Sequence, residues 1–190
     1  MTEAEAVRAL QAGDAEALEF LVLTHQLKAL RFAFAICGNQ SLAEDVVADA
    51  FLAVFQQIKR FDADRPFEPW FLRIVVNGAI SSVRKGKTAR KLTELLGRSR
   101  EPEADPIAVS EQNETRRELI RSIRALPAEE RAAITIRYLM DFDEKAAANI
   151  LGWPVGTLKT RLRRARGRLR SSIDGALIAE YQGPMAVEEA

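Results

Sequence analysis

The sequence predicts an all-α protein of two small helical domains joined by a flexible linker, the second domain being a helix-turn-helix. Three observations predict this fold class. Apolar residues recur at spacings of three and four along most of the 190-residue chain, as they do on one face of an α-helix. Glycine and proline are scarce and cluster at a few breaks, where they end helices. No segment shows the strict alternation of apolar and polar residues that is typical of a β-strand.

The first domain is expected over residues 1–87 as a compact helical bundle. The run Thr2–Glu5 fits a capping box and opens a short helix that ends near Gly13. Asp14 is placed to cap a longer helix, which ends at Gly38. The apolar residues of this longer helix are Leu18, Leu21, Val22, Leu30, Phe34 and Cys37.

A third helix is expected to open at a second capping-box pattern, Ser41–Glu44. Its apolar residues repeat close to the 3.6-residue period and are Val46, Val47, Ala50, Phe51, Val54, Phe55 and Ile58. Polar and turn-forming residues then break the pattern at Phe61–Pro66. A fourth helix follows this break and reaches Lys85.

Residues 88–112 differ in composition from the segments on either side. The run that begins at Arg100 contains Pro102 and Pro106, alternating charge and no sustained period, which indicates a linker. A second domain is expected over residues 113–175. A tail over residues 176–190 follows it, in which Ala176–Tyr181 is a candidate for a short turn of helix.

The second domain contains the pattern that is most informative about function. Pro127 separates a helix that ends at Leu126 from one that begins at Ala128. The latter carries Ile134, Tyr138 and Leu139. Asp143 is placed to cap the next helix, Glu144–Leu151, which is followed by the turn Gly152–Pro154 and a last helix from Val155 to Arg170.

Two helices joined by a three-residue turn that contains glycine predict a helix-turn-helix, whose second helix enters the DNA major groove. The apolar stripe Val155, Leu158, Leu162, Ala165 and Leu169 packs inward. The polar residues left to reach bases and phosphates are Thr157, Lys159, Thr160, Arg161, Arg163, Arg164 and Arg166. A solvated basic face and an RNA- or membrane-binding patch are the alternatives.

The net charge of +1 is low for a DNA-binding protein, but the charges are segregated along the chain. Residues 159–170 contain seven basic residues and no acid. A second basic cluster lies at residues 84–91, and acids gather at residues 44–49 and 101–105. This distribution favours nucleic-acid binding by defined surfaces rather than by the whole protein.

Composition argues against several classes of function. With one cysteine, Cys37, and one histidine, His25, the sequence predicts no disulfide and no zinc site built from these ligands. It also predicts no catalytic site and no cofactor, since neither residue has a suitable neighbour and no phosphate-binding glycine loop appears. The acidic start and the short apolar stretches near residues 18–23 and 29–37 predict a cytoplasmic protein that does not insert into a membrane.

Two segments resemble the sigma-70 family of bacterial sigma factors. Residues 126–170, above all Val155–Leu162 with Arg164–Arg166, resemble the C-terminal DNA-binding domain. Residues 43–62 and 65–85 resemble the segment that binds polymerase and opens the promoter. Two domains without a middle domain match the extracytoplasmic-function (ECF) subgroup. The resemblance implies a promoter-specificity subunit whose partners are promoter DNA and RNA polymerase core, at the largest-subunit clamp helices and the flap region.

The resemblance also implies roles for individual residues. The polymerase-binding residues are Glu44, Asp45, Asp49 and Gln56. The −10 element, which the family melts, is read by the loop Phe61–Pro69 and by the helix residues Asn77 and Ser81. Arg84, Lys85 and Lys87 would lie along the DNA phosphates, with a solvated helix end as the alternative. The resemblance assigns recognition of the −35 element to the polar residues of the last helix. Trp70 and Phe71 are favoured as core residues over stacking platforms for bases.

Two departures from the family pattern affect these expectations. Asp141–Lys145 replaces the usual small-hydroxyl, aromatic and acidic run, although Asp143 is still able to cap the supporting helix. Ser81 stands where the family often has a larger polar side chain, which affects −10 specificity. An anti-sigma factor is a further partner of such proteins. A stand-alone helix-turn-helix regulator is the alternative function, and it predicts no affinity for core polymerase.

Overall fold

The computed structural model describes residues 1–95 and 114–172, with the side chains of 89–95 and 114–118 left out. The central part of the predicted linker and the tail, including the proposed turn Ala176–Tyr181, lie outside the described residues. Within the described ranges every regular element is a helix or helical turn. The prediction of an all-α protein with two helical domains is confirmed.

Four helices form the first domain: α1 Glu3–Gln11, α2 Ala17–Cys37, α3 Gln40–Gln57 and α4 Phe67–Leu95. A 3₁₀ turn, Ile58–Arg60, follows α3. The predicted capping box of α1 is present, with Thr2 and Glu5 exchanging bonds between side chain and backbone. Helix α4 continues for eight residues beyond the predicted end of the domain.

Aromatic side chains build the centre of this domain. Phe71 is fully buried and stacks on Phe67 at 5.7 Å and on Phe51 at 4.6 Å between ring centroids. Trp70 is half-buried and packs on Phe61 at 4.6 Å. The expectation that Trp70 and Phe71 are packing residues is therefore confirmed, and each fully buried ring contributes about 1.5–3 kcal/mol to folding.

Three local predictions in this domain are wrong. Helix α3 begins two residues early, because the side chain of Asn39, not Ser41, accepts the capping bond from Leu42 N at 2.8 Å. Helix α2 begins at Ala17, because the Asp14 side chain accepts from Glu16 N in a turn before the helix. Phe55 is 48% exposed and does not belong to the core.

The second domain contains α5 Glu114–Ala125, α6 Ala128–Ile134, α7 Glu144–Leu151 and α8 Val155–Ser172. Helix α6 begins at Ala128 directly after Pro127, as predicted, and Pro127 makes no side-chain capping bond. A π-helical turn, Thr135–Leu139, follows α6, and Leu139 is 54% exposed. Leu139, which the sequence placed on the same helix as Ile134, lies instead in this wider turn and faces solvent.

Asp143 caps α7 as predicted, with its Oδ1 accepting from Ala146 N at 2.7 Å. Replacing Asp143 with alanine is expected to destabilise the protein by about 1 kcal/mol, because one amide at the start of α7 loses its acceptor. Thermal unfolding measures the change. Asp143→Asn keeps an acceptor oxygen, so its Tm should be close to that of the native protein. A native Tm for the alanine variant would contradict the role of the cap.

The two domains pack against each other through α2 and α4 on one side and α6, α7 and the π turn on the other. Arg131 is 4% exposed and donates from Nη1 to Ile36 O, at the end of α2, at 2.8 Å. Lys87 Nζ donates to Leu126 O at 3.3 Å. The rings of Phe32 and Phe142 meet edge-to-face at 5.9 Å. The interface is therefore both polar and apolar.

Gly152 occupies the point where the helix-turn-helix approaches α4. Its φ of 67° lies in the left-handed region, and a Cβ added here would meet the Arg73 guanidinium. Glycine is suited to this position because it adopts positive φ without strain and leaves room for the close approach. The same residue thus ends α7 and lets the two domains touch.

Helix α2 is long and apolar enough to cross a membrane by length and composition alone. The apolar stretches near residues 18–23 and 29–37, which the sequence analysis treated separately, belong to this one helix. The core helix of a soluble protein passes the same test, and α2 packs on α1, α3 and α4 with Leu21, Phe32 and Ile36 buried. This packing buries 33% of the apolar window, while Leu23 and Leu27 on the same helix are 66% and 61% exposed.

Candidate functional site

The helix-turn-helix has the predicted bounds: α7 ends at Leu151, Gly152–Pro154 form the turn, and α8 begins at Val155. Trp153 N donates to Ala148 O at 2.9 Å, which holds the turn on the end of α7. Four residues of α8 are buried: Leu158, Leu162, Ala165 and Leu169. Val155, predicted to pack inward with them, is 40% exposed, because it lies in the first turn of the helix.

The seven predicted DNA-binding residues of α8 do not share one face. At about 100° per residue, the positions opposite the buried stripe are Thr160, Arg163 and Arg164, all exposed. Lys159 and Arg166 lie on one flank, and Thr157 and Arg161 on the other. The outer face is therefore the part of α8 that is most accessible to a DNA groove. The two flanks would lie toward the sides of that groove.

Acids from neighbouring helices pair with the basic residues of α8. Lys159 Nζ lies 3.2 Å from Glu144 Oε2 on α7, and Arg168 Nε lies 3.0 Å from Glu130 Oε2 on α6. Sequence reading missed these pairs, because residues 159–170 themselves contain no acid. An anion that binds Lys159 would therefore have to displace Glu144.

Arg161 has a neighbour that the sequence reading did not connect with it. Its guanidinium carbon lies 4.4 Å from the ring centre of Trp153, in the turn before α8. A stacked guanidinium of this kind is held in direction while its N–H groups stay available. Trp153 therefore orients one flank of α8.

On α4, residues predicted to meet the −10 element form one exposed stripe. Asn77, Ser81, Arg84 and Lys85 recur at spacings of three and four and line the same cleft. Lys87 lies away from this stripe, since it donates to Leu126 O in the second domain. Burial, followed by the positive charge of Arg131, lowers the pKa of Lys87 from its ordinary value.

The cleft lies between the domains and has a volume of about 730 Å³. Asn77, Ser81, Arg84 and Lys85 line one wall, and Trp153 and Arg161 line the other. Arg84 Nη1 also lies 3.3 Å from Glu129 Oε1 across the cleft. A cavity of this volume suits a small molecule rather than a duplex. One flank of α8, through Arg161, therefore faces the predicted −10 stripe of α4, whereas the outer face of α8 does not line the cleft.

The loop between α3 and α4 matches the predicted break Phe61–Pro66 and is shorter than the loop Phe61–Pro69 that the resemblance implied. Helix α4 begins at Phe67, so Phe67–Pro69 belong to the helix, and Phe67 is 1% exposed. Residues 61–66 remain as the loop, in which Asp62, Asp64, Arg65 and Pro66 are exposed. Asp62 Oδ1 accepts from Asp64 N at 3.1 Å, so the loop has a defined turn.

The predicted polymerase-binding residues lie on the outer face of α3. Glu44, Asp45, Asp49 and Gln56 are all exposed. Two apolar residues that the sequence reading did not assign to this face, Leu52 and Phe55, are 54% and 48% exposed beside them. Exposed apolar side chains flanked by acids are typical of a protein-docking surface.

His25 and Cys37 occupy structural environments. His25 is 4% exposed between the rings of Phe67 and Phe71, with Glu3 Oε2 at 2.8 Å from Nε2. Burial raises the pKa of the Cys37 thiol to about 11, although the charge of Arg131 opposes this shift. The described residues contain no cluster of side chains able to hold a metal ion.

A helix-turn-helix domain packed on a bundle with a basic helix face and an acidic docking helix defines a DNA-binding protein that also binds a protein partner. Residues 21–89 match sigma-70 region 2, and residues 116–169 match sigma-70 region 4. The chain belongs to the ECF subgroup of the sigma-70 family. It is an RNA polymerase sigma factor that binds core polymerase and promoter DNA in transcription initiation.

Relatives match over nearly their whole length. The chain is 26% identical over 180 residues to the ECF RNA polymerase sigma factor SigW of Bacillus subtilis (strain 168), covering 88% of this chain and 94% of the relative. It is 28% identical over 193 residues to the ECF RNA polymerase sigma-E factor of Escherichia coli (strain K12), covering 91% and 95%. The match includes both domains and the segment between them.

Solved structures share the fold. The structure of CnrH in complex with the cytosolic domain of CnrY matches with a TM-score of 0.61 at 22% identity, over 89% of this chain and 95% of that one. The sigma factor RpoE in complex with the anti-sigma factor NepR from Bartonella quintana matches with a TM-score of 0.61 at 23% identity, over 85% and 96%.

Proposed function

We propose that the exposed face of α3 docks on the clamp helices of the polymerase largest subunit. Asp45, Asp49, Leu52 and Gln56 follow one another at spacings of four, three and four, which places them in one stripe. Acids supply attraction to a basic partner, and Leu52 supplies apolar area to bury. Helix α8 and its neighbours would meet the flap region and the −35 element.

The stripe on α4 and the loop 61–66 are proposed to take the −10 element after it melts. Asn77 offers an amide donor and acceptor to the edge of an exposed base. Arg84 and Lys85, further along the same stripe, are suited to the phosphates that follow. Lys87 contributes to the domain interface instead, and so it would reach DNA only when the domains separate.

The observation that carries this proposal is the cleft. The −10 stripe on α4 and Arg161 on one flank of α8, which were predicted independently, line it from the two domains. In vitro transcription with purified core polymerase on genomic fragments tests the function: the chain should direct initiation at defined start sites, and the shared upstream sequences give both promoter elements. Specific DNA binding by the isolated chain without any core-dependent initiation would instead support a stand-alone regulator.

Arg164 is exposed on the outer face of α8. Replacing it with alanine is expected to weaken transcription and to lower the salt slope of DNA binding by about one, as for the loss of one phosphate contact. Filter binding over a salt series measures the slope. Arg164→Lys keeps the charge and should keep the slope; an unchanged slope in the alanine variant would remove Arg164 from the interface.

Further parts of this proposal concern regulation and location. An anti-sigma factor that covers Leu52 and Phe55 on α3 would block the docking face, so it would compete with core polymerase. The chain is proposed to act in the cytoplasm, where polymerase and DNA are, and to carry out no catalysis of its own. Competition binding with core polymerase tests the first point once such a partner is isolated.

A further inference from the structure

Helix α1 contacts both ends of the loop 61–66. The helix lies before residue 21, where the match to sigma-70 region 2 begins. Ala6, Val7 and Leu10 bury one side of α1 against the bundle, which fixes its position. The polar side chains Glu3 and Gln11, one at each end of α1, then reach the loop.

Gln11 holds the start of the loop. Its Nε2 donates to Ile58 O at 2.9 Å and to Phe61 O at 2.7 Å. Ile58 O already accepts from Phe61 N at 3.0 Å within the 3₁₀ turn, so Gln11 adds a second bond at this carbonyl and a bond to Phe61 O just after the turn. Both N–H groups of a single amide are used, and Gln11 is half-buried. The point at which the chain leaves α3 is thereby fixed.

Glu3 holds the other end of the loop. Its Oε1 accepts from Phe67 N, the first residue of α4, at 3.3 Å. An acid at a helix N-terminus satisfies a free amide and interacts favourably with the helix dipole. Its Oε2 lies 2.8 Å from His25 Nε2, which keeps the carboxylate in place. The loop is thus tied to one helix at its entry and at its exit.

The middle of the loop remains accessible. Arg8 Nη2 lies 3.6 Å from Asp64 Oδ1, but both side chains are largely exposed, so this pair adds little. Asp62 and Arg65 pair within the loop at 3.3 Å. Asp64, Arg65 and Pro66 face solvent. The two ends of the loop are therefore fixed, while the residues in its middle are accessible to a ligand.

We propose that α1 is a positioning element for −10 recognition, with Gln11 and Glu3 holding the loop in the shape that receives an unpaired base of single-stranded promoter DNA. This inference rests on the proposed role of the loop 61–66. A loop already held in its binding shape loses less entropy when the base binds. It also discriminates between bases, because only the correct base meets contacts at fixed places.

The test uses two substitutions of similar length at Gln11. Gln11→Glu removes both donors, whereas Gln11→Lys keeps a donor for the same carbonyls. Holoenzyme formed with each variant is titrated with forked DNA from a mapped promoter, its non-template −10 segment single-stranded. Two forks are compared, one with the promoter's own base and one with a substituted base. The affinity ratio is the affinity for the fork with the promoter's own base divided by the affinity for the fork with the substituted base. Gln11→Glu should lower this ratio about tenfold, as expected for the loss of one or two hydrogen bonds. Gln11→Lys should lower it less than about twofold.

A matched pair of variants at Ala12 controls for charge at the end of α1. Ala12 is exposed and adjacent, so Ala12→Glu and Ala12→Lys change the helix dipole interaction without reaching the loop. Both should keep the native affinity ratio. The ratio also separates positioning from general destabilisation, because a smaller folded fraction lowers binding to both forks equally.

The outcomes separate this inference from the function on which it rests. The double variant Asp64→Ala with Arg65→Ala removes two exposed charged side chains from the middle of the loop itself. If this double variant lowers the ratio and Gln11→Glu does not, the loop reads the base and α1 is not its positioning element. If neither changes the ratio, the role of the loop in −10 recognition is wrong and the inference about α1 is overturned with it. An equal loss in Gln11→Glu and Gln11→Lys would also overturn it.

Discussion

Reversing Asp45 and Asp49 to lysine should weaken association with core RNA polymerase by roughly 100-fold, because attraction becomes like-charge repulsion at the centre of the docking face. Both residues are exposed on α3, beside Leu52. The buried side of the helix is unchanged, so the fold should remain intact. Analytical gel filtration of the mixture with core polymerase, followed by titration, measures the effect.

A matched control places the same charge change elsewhere. Glu16 and Glu19 are exposed near the start of α2, and reversing both to lysine should leave polymerase affinity within about threefold of native, since charges beyond a Debye length of roughly 8 Å are largely screened. Co-elution of the Asp45 and Asp49 variant at native affinity would reject α3 as the docking helix. Equal loss in the control would show a response to net charge alone.

Replacing Arg131 with methionine is expected to lower the free energy of unfolding by about 3 kcal/mol, because carbonyls buried at helix ends lose their donor. Arg131 donates to Ile36 O in the first domain and to Arg124 O and Leu126 O in the second. Burial is the main cause that lowers the pKa of Arg131, and the carbonyl oxygens offset part of its desolvation. Thermal unfolding should show a decrease in Tm of roughly 6–12 °C.

The interdomain part of that effect is measurable separately. Small-angle scattering should show a larger radius of gyration for Arg131→Met, since the bond to Ile36 O is one of those that join the domains. Arg137→Met is the control: Arg137 is half-buried and stacks on Tyr138 within its own domain, at 5.3 Å. It should change the free energy of unfolding by less than about 1 kcal/mol. If Arg131→Met had the Tm and the radius of gyration of the native protein, this account would be contradicted.

Short-range signals explain what the sequence predicted well. The bounds of α7 and its turn follow from Asp143 and Gly152, which act on the backbone within four residues. The start of α3 was misplaced because Asn39 and Ser41 are both good caps, and the choice between them depends on the packing of the whole helix. Phe55 was misplaced because its spacing fits the apolar stripe, although it lies at the edge of that stripe.

Long-range contacts explain what the sequence reading missed in the candidate site. The basic character of α8 was read directly, but its pairing with Glu144 and Glu130 requires the packing of α6 and α7. Lys87 belongs to a basic run, yet its direction depends on where Leu126 O lies in the other domain. Spacing along a helix predicts the helix face on which a residue lies. It does not predict which group of another helix that residue contacts.

The closed arrangement of the domains has a thermodynamic consequence for how the chain meets its two partners. If simultaneous contact with the polymerase and both promoter elements requires the domains to separate, each partner binds with an affinity reduced by the fraction of open molecules. If opening costs about 2.7 kcal/mol, roughly 1% of free chains are open and apparent affinity falls about 100-fold. The binding of the first partner must supply the free energy of opening, and the second partner then binds more tightly. The interface that Arg131 and Arg84 help to form would therefore make binding to the two partners cooperative and keep the free chain from being titrated by bulk chromosomal DNA.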